Sequence, residues 1–144
     1  MVKTDVVVIG GGPAGATAAG LLAREGLEVV LFEREEFPRY QLGESLMVST
    51  VHGICQLLGV SDEVSSSGFI RKPGGIFCWG ESDELWALPF TQASDLTEAG
   101  ANYAFHVERS RFDSILLERA RALGADVRFR WSVDKLLRSK GRVV

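Results

Sequence analysis

Six residues near the start, Gly10-Gly11-Gly12-Pro13-Ala14-Gly15, constrain this chain more than any others. They fit G-x-G-x-x-G, with Gly10, Gly12 and Gly15 at the marked positions. The run before them, Thr4 to Ile9, is β-branched and nearly continuous, which predicts a strand buried on both faces. The small-residue run after them predicts a helix from Pro13 to about Glu25. Pro13 suits a first turn, where its missing N–H costs nothing, and Gly26 reads as the stop. Glu28 to Glu33 predicts a second strand. Residues 4–33 therefore read as one β-α-β unit with a right-handed crossover. In such a unit Gly10 permits the tight turn out of the strand. Gly12 lets a pyrophosphate approach the backbone, and Gly15 lets the helix lie close to the sheet. The diphosphate would sit at the helix start, around Pro13 and Ala14, against free N–H groups and the positive dipole end.

A glycine motif alone is a weak signal. Here it follows a strand, opens a helix, and is answered by Glu33, 18 residues past Gly15 at the end of the next strand. A carboxylate there accepts hydrogen bonds from ribose hydroxyls and disfavours a 2′-phosphate, so NADP is not expected. FAD and NAD share the fingerprint. Its position within the first residues of the chain favours FAD.

Beyond this unit, Glu35 to Gly43 reads as a charged loop. Glu44 or Ser45 is placed to cap a helix to about Leu58, with Leu46, Ile54, Leu57 and Leu58 as its apolar face. Ser61 to Gly68 reads as a mobile surface connection. Ile76–Gly80 and Leu85–Phe90 read as strands around a turn at 81–84, and Gln92–Gly100 as polar loop. Tyr103–Val107 predicts a strand. Arg109 or Ser110 starts a helix to Leu123, striped by Phe112, Ile115, Leu116, Ala120 and Leu123 and stopped by Gly124. Val127–Trp131 predicts a strand, and Val133–Leu137 with Arg142–Val144 a hairpin cut short. An element interrupted at its end suggests a piece of a larger protein, whose open sheet face would make it poorly soluble alone.

Composition narrows the function classes. The chain has 144 residues, enough for one domain with its own core, with 46% apolar and 24% charged residues. A net charge of −3 argues against a nucleic-acid partner. No apolar run approaches a membrane span. Cys55 and Cys78 fit no metal spacing and read as reduced, space-filling thiols, which makes a cytoplasmic location the expectation. His52 and His106 lack partners at ligand spacing and read as ordinary packed or half-exposed histidines. Trp79 and Trp86, with Phe77 and Phe90, read as sheet packing or as the lining of an aromatic pocket.

Three further segments carry a resemblance. Phe37-Pro38-Arg39 with Gly43-Glu44-Ser45-Leu46 is similar to the F-P-R-x-x-x-G-E-S-L stretch of flavin-dependent halogenases. Lys72-Pro73 with Phe77-x-Trp79-Gly80 resembles their K-P-x-x-x-F-x-W-G segment. Val107-x-Arg109-x-x-Phe112-Asp113-x-x-Leu116 resembles a pattern shared with aromatic hydroxylases and geranylgeranyl reductases. The resemblance implies an α/β fold, the Rossmann-like FAD-binding domain of the p-hydroxybenzoate-hydroxylase (glutathione-reductase) type. The chain would supply its N-terminal portion: the unit at 4–33, inserted strands at about 75–107, and a helix, strand and hairpin over 109–144. The rest of the FAD domain and the substrate domain would be absent.

The implied activity uses reduced FAD from a separate flavin reductase, O₂ and chloride or bromide. Hypohalous acid forms and reaches a lysine beside an electron-rich aromatic or pyrrole substrate, free or carrier-bound. Lys72 takes that role by its place in the K-P segment; without the resemblance it reads as half of a solvated Arg71-Lys72 pair. Arg39 would meet the FAD diphosphate as a fork of donors. Ser45 would line the flavin, and Arg109 would touch the cofactor. The W-x-W-x-I-P and G-D-A segments of the family do not occur in these residues. A monooxygenase or reductase of the same fold is therefore the alternative, and a non-catalytic nucleotide-binding module the second, should 144 residues be the whole protein.

Overall fold

The computed structural model describes residues 4–92, 102–139 and the backbone of 142–143. It falls into two compact units, Met1–Arg39 with Leu116–Val144, and Tyr40–Ile115.

The first unit begins with β1 (Val6–Ile9), α1 (Pro13–Arg24) and β2 (Val29–Glu33). β1 pairs in parallel with β2, from Val6 opposite Val29 to Ile9 opposite Phe32. The third strand, β7 (Asp126–Phe129), lies on the other side of β2, also parallel, giving the order β1-β2-β7. The middle strand is the buried one: Val29, Val30, Leu31 and Glu33 are all enclosed. In β1 the prediction of two buried faces fails. Val7 and Ile9 are 44% and 54% exposed, because among the described residues α1 covers only the opposite face, where Val8 meets Gly15. α1 packs on the sheet through Ala16, Ala19 and Gly20, side chains small enough for close approach. After β7, β8 (Arg138–Ser139) pairs antiparallel with β9 (Arg142–Val143). The expected hairpin is present but starts later, since Val133–Leu137 is not strand.

The second unit differs more from its prediction. Residues 44–46 are extended rather than the start of a helix, and Ser45 bridges His106. The reason is a competing set of partners. The Leu46 N–H donates to the Phe105 carbonyl at 2.9 Å, and the Val107 N–H to the Glu44 carbonyl at 2.8 Å. Helical structure begins at Val48, passes through a π-type turn at Thr50–Ile54 and continues as α2 (Cys55–Leu58). Leu46 and Leu58 are buried as expected, whereas Leu57 is exposed. The stretch read as a mobile connection contains α3 (Ser61–Ser66). Asp62 and Glu63 suit its first turn, and Val64 is fully buried. Ser66 and Ser67 turn their hydroxyls back onto the Asp62 and Glu63 carbonyls at 2.8 and 2.7 Å, so a serine run that signals loop is accommodated.

A short strand absent from the prediction, β3 (Ile70–Lys72), pairs antiparallel with β6 (Ala104–His106). Between them β4 (Gly74–Cys78) and β5 (Leu85–Pro89) form the expected hairpin, followed by a 3₁₀ turn at Phe90–Gln92. Most of the polar loop expected at 92–100 lies outside the described residues. Trp79 and Trp86 are 84% and 60% exposed among the described residues, and Trp86 packs on the ring of Phe77, its cross-strand partner in the hairpin. Cys55 is buried, and burial pushes its thiol up to about 11, so it stays protonated. Cys78 is exposed and fills no space. His52 is packed as expected, edge-on to Tyr103. Helix α4 (Arg109–Ala122) starts and stops where its pattern predicts, with Phe112, Leu116, Leu117 and Ala120 fully buried. Among the described residues no helix is long and apolar enough to cross a membrane.

Candidate functional site

In the first unit the glycine turn is drawn tight between β1 and α1. The Gly10 N–H donates to the Phe32 carbonyl at 2.8 Å, and Gly10 turns out of the strand with φ +99°. Gly12 caps α1 in an extended conformation, and Pro13 occupies the first helical position. A Cβ on Gly15 would stand 1.9 Å from the Gly10 carbonyl oxygen, so only glycine lets helix and strand approach this closely. The first intrahelical bond runs from Ala16 N–H to Gly12 carbonyl. The amides of Ala14 and Gly15 precede it and lie in the anion-favouring first turn, which carries no acidic side chain.

Glu33 is buried at the end of β2, 5% exposed. Its Oε2 accepts the Gly11 N–H at 2.6 Å, and its Oε1 the Glu35 N–H at 2.9 Å. These bonds fix the carboxylate against the glycine turn while leaving each oxygen a second lone pair for a sugar hydroxyl. Arg39 also reaches the turn. Its side chain is 11% exposed, its guanidinium lies 4.6 Å over the Phe37 ring, and its Nη2 stands 3.6 Å from where a Gly12 Cβ would be. Phe37 itself stacks on Phe129. The turn, the acid and the guanidinium thus converge, and the space a Cβ would fill at Gly12 is bordered by a cation. This donor set fits an adenosine diphosphate group.

The second unit holds the other candidates. Lys72 ends β3, opposite Ala104. Its Nζ donates to Ser45 Oγ at 2.8 Å and to the Leu46 carbonyl at 3.3 Å, and lies 5.2 Å over the ring of buried Phe90. Lys72 is half-buried and hydrogen-bonded rather than solvated, whereas Arg71 is exposed with its guanidinium 3.9 Å over the Tyr103 ring. Arg109 forks onto Asp113 with Nε to Oδ1 at 2.7 Å and Nη2 to Oδ2 at 2.9 Å. Its Nη1 donates to the Leu42 carbonyl at 2.6 Å and would stand 3.1 Å from a Cβ on Gly43. Arg109 therefore ties the first turn of α4 to the 42–43 turn that leads into Ser45.

Asp113 holds Arg109, a partnership that the sequence reading does not assign. The available signal was its spacing four residues after Arg109, which puts the two charges on one helix face. Asp113 is fully buried, so Asp113→Ala leaves a largely buried guanidinium without its forked acceptor. The expected loss is about 3–5 kcal/mol. Urea unfolding of the full-length protein checks it, and an unmoved midpoint would reject the account.

A parallel β1-β2-β7 sheet with a glycine turn answered by an acid defines a Rossmann-like dinucleotide-binding fold. The tryptophan halogenase family model matches residues 5–100, and the chain belongs to that family. It is 48% identical over 125 residues to the tryptophan 2-halogenase of Chondromyces crocatus, covering 87% of this chain and 22% of that protein. It is 35% identical to the 1H-pyrrole-2-carbonyl-[peptidyl-carrier protein] chlorinase of Pseudomonas fluorescens, covering 85% of this chain and 30% of that protein. The structure of the myxobacterial chondrochloren halogenase, an FAD-dependent halogenase, superposes with a TM-score of 0.87 at 47% identity, over 98% of this chain and 32% of that one. The chain thus spans between about a fifth and a third of the length of these relatives.

Proposed function

We propose that the protein carrying these residues is an FAD-dependent halogenase. It would act with reduced FAD from a separate reductase, O₂ and chloride or bromide on an electron-rich aromatic or pyrrole ring, free or carrier-bound, in natural-product biosynthesis. The observation that carries the reading is the Lys72 amine, held by Ser45 Oγ at 2.8 Å with only neutral oxygens as its hydrogen-bond partners among the described residues. A Lys ammonium has three donors, and two are engaged here. The third is available to the oxygen of hypohalous acid, where donation weakens the O–X bond as the ring carbon takes the halogen.

The first unit supports the cofactor assignment. Gly10, Gly12 and Gly15 clear the backbone for the diphosphate, Pro13 sets the helix start, and the Ala14 and Gly15 amides face it. Arg39 would balance its charge, and Glu33 would accept from the adenosine ribose. Bound FAD supplies the reduction of O₂ that converts halide into hypohalous acid. Arg109 and Ser45 would add the contacts expected of them at the cofactor while bonding within the second unit to Asp113 and Leu42 and to Lys72 respectively.

Incubating the full-length protein with FAD, a flavin reductase, bromide and a phenol or pyrrole probe should give the brominated probe. Hydroxylated product alone would move the assignment to a monooxygenase. Glu33→Gln, which keeps one acceptor oxygen for the backbone, should raise the FAD dissociation constant about 10-fold through loss of a charge-assisted hydrogen bond. Flavin fluorescence quenching measures it, and an unchanged constant would remove Glu33 from the site.

A further inference from the structure

Lys72 owes its position to a three-stranded arrangement that β3 alone would not produce. β6 is the shared middle element. On one side it pairs with β3, Lys72 opposite Ala104 and Ile70 opposite His106. On the other side Ser45 bridges the same His106. Directly opposed residues of an antiparallel pair point to one face, as do residues two apart along a strand. Lys72, Ala104, His106 and Ser45 therefore share a face, with Lys72 and Ser45 on its two flanks. Ala104, the residue opposite Lys72, is small and leaves the lysine stem room to reach across. The Nζ to Ser45 Oγ bond at 2.8 Å closes that span.

We propose that Ser45 is a positioning residue for Lys72, setting the direction of the amine. This rests on the halogenase reading of Lys72. The flexible four-carbon stem gives the amine a wide range of positions. The Ser45 hydroxyl and the Leu46 carbonyl, one residue apart on the same extended segment, hold two of its three donors and leave one for the oxidant. The step served is Ar–H + HOX → Ar–X + H₂O. The O–X bond breaks with its electron pair staying on oxygen, the C–X bond forms from the ring's electron pair, and the released hydroxide takes the ring proton and leaves as water. The oxidant is hypohalous acid, made from halide and O₂ at reduced flavin. A hydroxyl suits the position because it accepts from the ammonium without forming an ion pair that would compete for the remaining donor.

Ser45 is exposed, so truncating it leaves no buried group unpaired and Ser45→Ala should fold. In the full-length holoenzyme with bromide and a phenol probe, Ser45→Ala should lower kcat by about 10- to 100-fold through misplacement of the amine. The probe KM and the FAD dissociation constant should stay within about twofold of wild type. Ser45→Thr, which restores the hydroxyl, should recover most of kcat. Competitive acetylation read by mass spectrometry gives a measure independent of turnover: Lys72 should react faster, relative to exposed Lys135, in Ser45→Ala than in wild type. Unchanged kcat with unchanged Lys72 acetylation overturns the proposal. So does a loss of kcat that tracks a loss of FAD affinity, which would place the effect of Ser45 at the flavin. Lys72→Ala run in parallel separates the failures: if it still halogenates, the role of Lys72 itself falls, whatever Ser45 does.

Discussion

Lys72→Ala in the full-length enzyme is expected to cut halogenation by about 10³-fold, the scale of a positioned proton-donating group. FAD affinity and the reduced-flavin-dependent release of peroxide should persist, because the amine's hydrogen-bond partners are Ser45 and Leu46, neither of them a residue of the glycine turn. The pair of readouts matters. A variant that loses product and flavin together has lost its fold, whereas one that keeps flavin and still consumes O₂ has lost the transfer step. Lys72→Arg sharpens the chemistry. A deprotonated lysine amine could instead take up the halogen as a haloamine; arginine retains donors but cannot lose its proton, so it could polarise hypohalous acid but not follow that route. Residual bromination in Lys72→Arg well above Lys72→Ala would favour hydrogen-bond donation. Product formation in Lys72→Ala at the wild-type rate, measured by chromatography of the brominated probe, would end the assignment.

Gly15→Ala should be the most damaging single methyl group that can be added to the glycine turn. The new carbon would meet the Gly10 carbonyl oxygen at 1.9 Å, the Gly10 carbonyl carbon at 3.1 Å and Val8 Cγ1 at 3.3 Å. Two of the three obstacles are backbone and cannot swing aside, so α1 must lift from β1. Overpacking of this kind costs about 3 kcal/mol. The lifted helix would also carry the Ala14 and Gly15 amides away from the diphosphate. The expected result is a lower melting temperature together with loss of bound FAD. Gly53→Ala is the control: a Cβ there meets nothing within 4 Å and its φ is ordinary, so stability should hold. Equal behaviour of the two variants in thermal unfolding would show that the close approach at Gly15 does not matter.

Legibility followed the distance between a residue and its partners. The β1-α1-β2 unit could be read because its turn, helix start and acid lie within 30 residues and each answers a local need. Helix α4 announced itself through an apolar stripe and a glycine stop. The β4-β5 hairpin was visible as two apolar runs around a polar turn. By contrast, Ser45 looks like a helix cap in isolation, and only β6, some sixty residues later, offers the backbone bonds that hold it extended. Ser65-Ser66-Ser67 looks like a linker until the hydroxyls are seen returning to carbonyls four residues back and Val64 is seen buried. β3 is three residues long and carries Arg71 and Lys72, so nothing in its pattern separates it from loop.

The amino-acid order by itself determined the glycine turn, the acid that faces it, the helices with strong stripes and the family to which the chain belongs. These depend on backbone freedom, capping and periodicity, which act over a few residues. Tertiary structure alone decided that Arg109 grips Asp113 and the Leu42 carbonyl and that Lys72 meets Ser45 across β6. Each of those depends on which segments lie side by side, and pairing between segments far apart in the chain is set by the energy of the whole fold rather than by any stretch within it.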